Sequence, residues 1–330
     1  MTGITQEERK NRTYTAAAGA IYAVLQYTSQ KDSYTLTDVM GLTGHAFRIN
    51  IHPEDVSPAG PTMFSPTELL EKGLNNLGFA AEQLYGFPTP APLEKLEQAI
   101  RFAQETIDRG IPAIGWSLFT AEFGVIYGYD DEKQELYCSD RAQDGPLPYA
   151  KLNELQMKFV FMLRIIGELT VDPLAALKTA LAGIVQFARG KAPTLSDTFK
   201  HGLAGYDAWI QAFEGGKVNP FGNADNARIV GDAREYAVEF LRSLSEKWTG
   251  DGQEQLAIRS LSQEALPHFE RVVEAFRALQ LRFPFPHGGE PNDPVQAAEA
   301  IKLLTVARDS ETAGIAVLER LLEQLNMAEA

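Results

Sequence analysis

The chain has 330 residues, of which 45% are hydrophobic and 22% are charged, and its net charge is −14. This composition is typical of a globular protein large enough for two domains, and the acidic balance disfavours nucleic acids and anionic membrane surfaces as partners. A single cysteine, Cys138, excludes an intramolecular disulfide, and residues 1–12 lack the apolar core of a signal peptide. Both features predict a cytoplasmic location.

Helix and loop signals dominate the first hundred residues. The alanine-rich start has Ile21 and Leu25 at helical spacing, and Pro66 stands where proline favours the first turn of a helix. The segments predicted there are, in chain order, a helix at 14–28, a short helix or turn at 36–42, a strand-like alternation at 45–51, a proline-rich loop at 52–66, a helix at 66–77 and an amphipathic helix within 88–110.

The period of the hydrophobic pattern changes to two after Gly110. Four segments rich in Val, Ile, Phe and Tyr, separated by Gly, Asp and Pro turns, predict strands. They are 111–118, 122–130, 134–140 and 157–166. Strands joined by such short turns favour an antiparallel sheet.

Long helical patterns replace the strands from about Asp172 onward. They cover 173–189, 195–213, 225–248, 253–281 and 294–327, with loop-forming sequences between them. Trp209, Trp248, Phe269 and Phe276 have the spacing of residues that pack between helices. We therefore predict an α+β domain at 1–170, with an antiparallel sheet, followed by an all-helical domain at 171–330.

Several stretches are similar to a known protein superfamily. GVIYGYDDEKQELYCSD (124–140) resembles the second motif of the C39-like cysteine peptidases, and AAAGAIYAVLQYTS (16–29) resembles their first helix. LTDVMGLTGHAFRI (36–49) is similar to a segment of the butirosin biosynthesis protein H-like group. GLAGYDAWIQAF (202–213) and ARIVGDAREYAVEFL (227–241) resemble the helical extension of that group. The resemblance spans most of the chain and implies a papain-like N-terminal domain followed by a helical domain.

The catalytic cysteine and histidine of this superfamily are missing here. In such enzymes a cysteine begins the first helix, a histidine from the later sheet takes the thiol proton, and an Asn or Asp orients the histidine. Aligning the motifs places Ala16 in the cysteine position, Glu122 in the histidine position and Asp140 in the third position. The resemblance therefore implies a catalytically inactive protein that binds a small molecule or peptide in the former active-site cleft.

Five residues are the candidates for ligand binding in that cleft. They are Glu122, Asp140, His45, Arg48 and Trp116. The two basic residues are included because the segment they occupy lines the cleft in the resembled group, although a purely structural histidine fits that position equally well. The tryptophan is included as a cleft aromatic, although strand aromatics more often pack in cores.

Two other functions fit the same residues. One is an enzyme of unknown reaction in which Glu122 and Asp140 act as paired carboxylates in acid–base catalysis. The other is a structural or partner-binding protein that forms a homodimer through its helical domain. A concave pocket facing the two carboxylates supports ligand binding or catalysis, whereas a filled cleft supports the third function.

The remaining potential nucleophiles have ordinary structural interpretations. Cys138 lies in the middle of a predicted strand, where a buried cysteine behaves as a small apolar residue. Thr15 is expected to cap the first helix rather than to act as a nucleophile with Glu122 as its base.

The polar residues near the proline-rich loop do not form a recognisable metal motif. His45, His52, Glu54 and Asp55 lie close together in the sequence, but their spacing matches no common ligand pattern. Neither a metal ion nor another cofactor is predicted.

Overall fold

The computed structural model describes residues 12–327. Its helices and strands are α1 (Ala16–Leu25), α2 (Leu36–Leu42), β1 (Asn50–Ile51), α3 (Lys72–Asn76), β2 (Phe79–Pro88), α4 (Leu93–Ile107), β3 (Ala113–Trp116), β4 (Phe123–Asp130), β5 (Glu135–Ser139), β6 (Asp144–Pro148), β7 (Phe159–Glu168), α5 (Pro173–Ala188), β8 (Lys200–His201), α6 (Leu203–Gly215), α7 (Pro220–Lys247), α8 (Gln253–Arg282) and α9 (Pro294–Met327). The predicted α+β class, with an antiparallel sheet followed by a helical region, is confirmed.

The described residues form two compact units. The sheet unit contains residues 12–39 and 66–171, and the helical unit contains residues 40–65 and 172–327. One junction between the units lies between Val171 and Asp172. Residues 40–65 belong to the same compact unit as the late helices, whereas the sequence analysis placed them in the domain before residue 170.

The sheet unit is built on six antiparallel strands in the order β2-β7-β3-β4-β5-β6. Helix α4 packs on the sheet through Leu96, Ala99 and Phe102, which join alternate strand residues in one apolar core. Helix α1 contacts β3 and β4, as a helix packed against the late sheet should. The four predicted strands are confirmed as β3, β4, β5 and β7, each within a few residues of its expected bounds.

The sequence analysis missed two strands of the six-stranded sheet because they contain residues that are unfavourable in strands. β2, FAAEQLYGFP, includes Gly86 and ends at a proline, yet it pairs with β7 from Phe79 to Pro88. β6, DGPLP, holds two prolines and lies at the edge of the sheet, where a missing N–H on the solvent side is tolerated.

The strand expected at 45–51 is correct only for its last two residues. Gly44 has a φ of +76°, a left-handed conformation that glycine adopts without steric cost, and it turns the chain into a single 3₁₀ turn at His45–Phe47. All three residues of that turn are buried, so the two-residue alternation of a strand is absent. Asn50 and Ile51 then pair with β8, and the helix expected from 195 begins only at Leu203.

The helical unit packs α6, α7, α8 and α9 around an apolar core. Trp209 and Phe276 lie in it with ring centroids 5.9 Å apart, and Phe269 is fully buried, as their spacing predicts. Trp248 instead follows the end of α7 and stays partly exposed. Ile49 and Ile51 belong to the same core, which gives the 40–65 segment an apolar anchor. Within residues 12–327, every helix is too short or too polar to cross a bilayer.

A buried ion pair connects three helices of this unit with the 40–65 segment. Arg234 of α7 donates to both carboxylate oxygens of Glu311 on α9, at 2.6 and 2.7 Å, and both side chains are almost completely inaccessible. The hydroxyl of Tyr206, on α6, donates to the same carboxylate at 2.6 Å. Burial and the nearby carboxylate raise the pKa of Tyr206 well above its ordinary value, which keeps this donor protonated.

The remaining amino group of Arg234 holds the backbone of the 3₁₀ turn. Its Nη1 donates to the carbonyl oxygens of Ala46 and Arg48, each at 3.0 Å. These carbonyls lie outside a regular helix or strand, and an unpaired buried carbonyl is costly. The ion pair therefore fixes the conformation of the segment that carries two of the candidate site residues.

Glu311→Gln is expected to destabilise the protein strongly because it leaves the Arg234 guanidinium buried without a counter-charge. Breaking a buried pair from one side typically costs about 3–5 kcal/mol, which a urea unfolding curve of the full chain measures as a lower midpoint. The matched control is Asp207→Asn, which removes the exposed partner of Arg308 and should cost less than about 1 kcal/mol. Equal losses in the two variants would contradict a central role for the buried pair.

Candidate functional site

The position of the expected nucleophile is the first residue of α1. Thr15 is the N-cap residue, and Ala16 begins the helix with a partly exposed methyl group. The predicted capping role of Thr15 is correct in position only, because its hydroxyl makes no cap hydrogen bond and is buried without a partner among residues 12–327. An alanine at this helix end offers no group that can form a covalent intermediate.

The one thiol of the chain is buried in the core of the sheet unit. Cys138 is in the middle of β5, has no exposed surface and packs among the residues that face α4. Burial, together with the negative charges of Asp140 and Asp144, raises its pKa far above the ordinary value. Because the thiolate is the reactive form, this cysteine is inert in the native protein.

Glu122 lies immediately before β4, in the short loop that follows β3. Its Oε1 forms an ion pair with Nη2 of Arg141 at 2.5 Å, and the glutamate side chain is only 12% exposed. The loop is tight, since the Ser117 N–H donates to the Glu122 carbonyl at 2.8 Å and Ser117 has a φ of +58°. Arg141 was not singled out in the sequence, although it directly follows the candidate Asp140.

Asp140 organises two loops through backbone hydrogen bonds. Its Oδ2 accepts from the N–H groups of Phe119 and Thr120, both at 2.9 Å. Its Oδ1 accepts from Ala142 and Gln143 at 2.8 and 3.1 Å. Four N–H donors therefore surround this carboxylate, and its contacts are those of a structural acceptor.

The close approach of β4 to Asp140 explains a glycine in the motif. A Cβ on Gly124 would lie 2.5 Å from the Ser139 carbonyl oxygen and 2.8 Å from the Asp140 Cβ. A larger residue would push β4 away from the end of β5. The glycine thus keeps the two strands close enough for the Asp140 carboxylate to reach the loop after β3.

Trp116 ends β3 and packs on the neighbouring strand. It is the register partner of Phe123, and their ring centroids are 4.8 Å apart. Phe123 in turn meets Phe161 of β7 edge-to-face at 6.2 Å. Trp116 keeps part of its surface exposed, so it combines core packing with a face that a ligand can contact.

The other two candidates, His45 and Arg48, belong to the helical unit. The Arg48 guanidinium lies over the Phe187 ring, with its Cζ 3.8 Å from the ring centroid, and is 5.6 Å from the centroid of Phe64. His45 is 2% exposed, and its Nδ1 is 2.6 Å from the hydroxyl oxygen of Thr43. The five predicted site residues are therefore divided between the two units, three in the sheet unit and two in the helical unit.

Sequence reasoning missed the residues that surround Arg48. Phe187 lies in the last turn of α5 and His201 lies in β8, and their rings pack with centroids 5.3 Å apart. Both are more than 130 positions from Arg48 in the chain. No local pattern connects such distant residues, so only the fold brings them together.

The described residues contain no cluster of three or more His, Cys, Asp or Glu side chains arranged to hold a metal ion. His52 instead pairs through Nδ1 with the Asp55 carboxylate at 2.7 Å. Comparison of the chain with protein-family models and with curated proteins finds no match. Its chemistry must therefore be argued from the residues themselves.

Native protein should resist alkylation at Cys138, because the thiol is buried and its pKa is raised. Iodoacetamide at neutral pH is expected to add nothing to the folded chain and one carbamidomethyl group to the chain in denaturant, as measured by intact mass. Rapid labelling of the folded protein would contradict the burial of Cys138.

Asp140→Asn should loosen the loop between β3 and β4, because an amide nitrogen cannot accept the N–H groups that one carboxylate oxygen now accepts. Leaving such donors unsatisfied costs about 1–3 kcal/mol, and amide exchange at Phe119 and Thr120 should accelerate. Glu132→Gln, at the exposed hairpin tip, is the control and should change stability by less than about 0.5 kcal/mol. Unchanged exchange in Asp140→Asn would show that its hydrogen bonds do not hold the loop.

Proposed function

We propose that this protein is a catalytically inactive papain-like protein that binds a small molecule or peptide without a covalent intermediate. The observation that carries the proposal is the first turn of α1, where Ala16 stands in the nucleophile position. The only thiol in the chain is buried elsewhere in the sheet unit. Acyl transfer by the cysteine mechanism needs a thiolate at a helix N-terminus, and this chain has none.

The arrangement of the sheet unit supports the papain-like interpretation. α1 contacts β3 and β4, which flank the loop that carries Glu122, and Asp140 follows the adjacent strand β5. These are the relative positions that the resemblance to C39-like peptidases implies for the nucleophile helix, the histidine and the third residue. The helices after residue 172 agree with the extension of the butirosin biosynthesis protein H-like group.

The contacts of Asp140 and of Glu122 Oε1 do not favour acid–base catalysis. Glu122 is paired with Arg141, and Asp140 accepts four backbone N–H groups. A general acid or base must exchange a proton with the substrate, so it needs an oxygen directed at the substrate. The alternatives of a carboxylate enzyme and of a homodimeric partner-binding protein, like the cytoplasmic location, rest on the sequence alone.

Wild-type protein should show no turnover of peptide or thioester substrates, and iodoacetamide should not change this result. Cys138→Ser should behave in the same way, because the replaced side chain reaches no substrate. The measurement is product formation at high enzyme concentration, with a C39-like or papain-like protease as the positive control. Turnover that disappears on alkylation of Cys138 would contradict the proposal.

Restoring the missing residues tests the inferred arrangement directly. In a Cys138→Ala background, Ala16→Cys should react with iodoacetamide at neutral pH, because the N-terminus of a helix lowers a thiol pKa. Adding Glu122→His should accelerate that reaction if residue 122 faces residue 16. The control is Ala175→Cys, an exposed first-turn position on α5, which Glu122→His should not affect. Equal effects at both positions would contradict the papain-like assignment.

A further inference from the structure

Arg48 is a largely enclosed cation that keeps part of its surface exposed and has no acidic partner in the described part of the chain. Its Nε is inaccessible and makes no hydrogen bond, and no carboxylate within residues 12–327 forms an ion pair with it. Burial lowers the pKa of Arg48 to about 9, so the guanidinium remains charged at neutral pH. A buried charge without a partner is strongly unfavourable, and proteins retain such charges at functional sites.

Two other arginines of the helical unit show how the same fold gives an enclosed guanidinium a carboxylate partner. Arg234 forms a two-point contact with Glu311. Arg228 lies over the Phe285 ring, with its Cζ 3.9 Å from the centroid, and pairs with Asp225. Arg48 has the same ring stacking as Arg228 but lacks the carboxylate.

Two histidines near Arg48 also present nitrogen atoms without partners. His45 Nε2 and His201 Nε2 are both buried and have no hydrogen-bond partner among residues 12–327. The rings connect to Arg48 through two phenylalanines: His45 meets Phe64 edge-to-face at 6.2 Å, and His201 packs on Phe187. The fold therefore places two histidine nitrogens near the Arg48 guanidinium, and neither they nor the Arg48 Nε have a hydrogen-bond partner within residues 12–327.

We propose that Arg48, His45 and His201 form a binding site for the carboxylate group of a small organic acid. One face of the Arg48 guanidinium lies on the Phe187 ring, so a ligand would approach the edge of the guanidinium. That edge presents N–H groups in the planar fork that matches a carboxylate, and a carboxylate can accept from both of its nitrogens at once. His45 Nε2 can add a third donor when its Nδ1 accepts the hydroxyl hydrogen of Thr43.

The charge of the site favours a monoanion. Burial and the charge of Arg48 lower the pKa of His45 to about 3, so this histidine is neutral at physiological pH. Burial, followed by the charges of Arg48 and Lys200, also lowers the pKa of His201. One buried positive charge is matched by one carboxylate, whereas a phosphate dianion would leave a second negative charge desolvated.

The surroundings favour an acid with an apolar body. Phe64 is almost fully buried and Phe187 is 3% exposed, so the ligand would meet aromatic carbon on two sides of the guanidinium. This inference deepens the proposed binding function by naming a ligand class and a place in the helical unit. It does not depend on the absence of catalysis in the sheet unit.

Isothermal titration of the full chain with butyrate, benzoate and inorganic phosphate, at constant ionic strength, tests the site. Wild-type protein should bind at least one of the two carboxylates with a stoichiometry of one, and phosphate more weakly. Arg48→Met should weaken carboxylate binding by about tenfold or more, because it removes charge-assisted hydrogen bonds. The control Arg228→Met removes a stacked arginine that already has its own carboxylate and should leave the affinity unchanged.

Thermal unfolding separates binding from structure. Without ligand, Arg48→Met should unfold at the wild-type temperature or above it, since it removes an unpaired buried charge. Benzoate or butyrate, whichever binds, should raise the unfolding temperature of wild type and not of the variant. If Arg48→Met does not fold, Arg48→Lys provides the comparison, because lysine keeps the charge but cannot form the two-point contact.

Three results would overturn the inference: no binding of either carboxylate, equal binding by wild type and the Arg48 variant, or tighter binding of phosphate than of the carboxylates. This inference and the proposed function can fail independently of each other. Turnover by the sheet unit would refute the absence of catalysis and leave this site standing. Failure to bind carboxylates would remove this site and leave the absence of catalysis standing.

Discussion

The ion pair between Arg234 and Glu311 is the constraint on which the helical unit depends. It brings together charges from α7 and α9 and leaves the second amino group of the arginine to bind the carbonyls of Ala46 and Arg48. A guanidinium has five N–H groups in one plane, so it can satisfy a carboxylate and two carbonyls at once, which no other side chain can do. The 3₁₀ turn, which has little regular structure of its own, takes its conformation from this contact.

The same constraint explains why Arg48 can remain without an acidic partner. Its backbone carbonyl is held by Arg234, and Ile49, the next residue, is anchored in the apolar core. The side chain is thereby kept against Phe187 instead of turning into solvent. The contacts of Arg234 thus stabilise a segment in which Arg48 has an unfavourable environment. This pattern is expected of a site preorganised for a ligand.

The sheet unit contains a different situation, because Asp140 and one carboxylate oxygen of Glu122 have partners in the same unit. Asp140 closes the loop after β3, Glu122 is paired with Arg141, and Cys138 is part of the core. Under the proposed papain-like assignment, the residues in the histidine and third catalytic positions make structural contacts.

Much of this architecture could be predicted from the sequence, because periodicity reports which face of an element is buried. Strands β3, β4, β5 and β7 and the long helices follow their hydrophobic patterns. β2 and β6 lack such a pattern. They contain glycine and proline, which are unfavourable in strands, and pairing with neighbouring strands stabilises them. At 45–51, the left-handed conformation of Gly44 leads into a 3₁₀ turn at His45–Phe47 where a strand was expected.

The candidate site residues show the same difference between what sequence patterns predict and what tertiary contacts determine. His45 and Arg48 were chosen by resemblance, but the contacts that make them interesting come from Phe187, His201 and Arg234, which are distant in sequence. The four backbone contacts of Asp140 likewise depend on loop geometry that no spacing reveals. A sequence shows which residues are unusual, and the fold shows whether their polar groups are satisfied.

Hydrogen–deuterium exchange of the full chain with and without benzoate tests the central claim most directly. The amides of Phe47 and Arg48 donate to Gly44 and His45 within the 3₁₀ turn, so exchange there reports on the segment that Arg234 holds. We expect benzoate to slow exchange in peptides covering residues 44–49 in wild type and to have no effect in Arg48→Met. Unchanged exchange in this segment, or slowing confined to the loops around Glu122 and Asp140, would contradict the account.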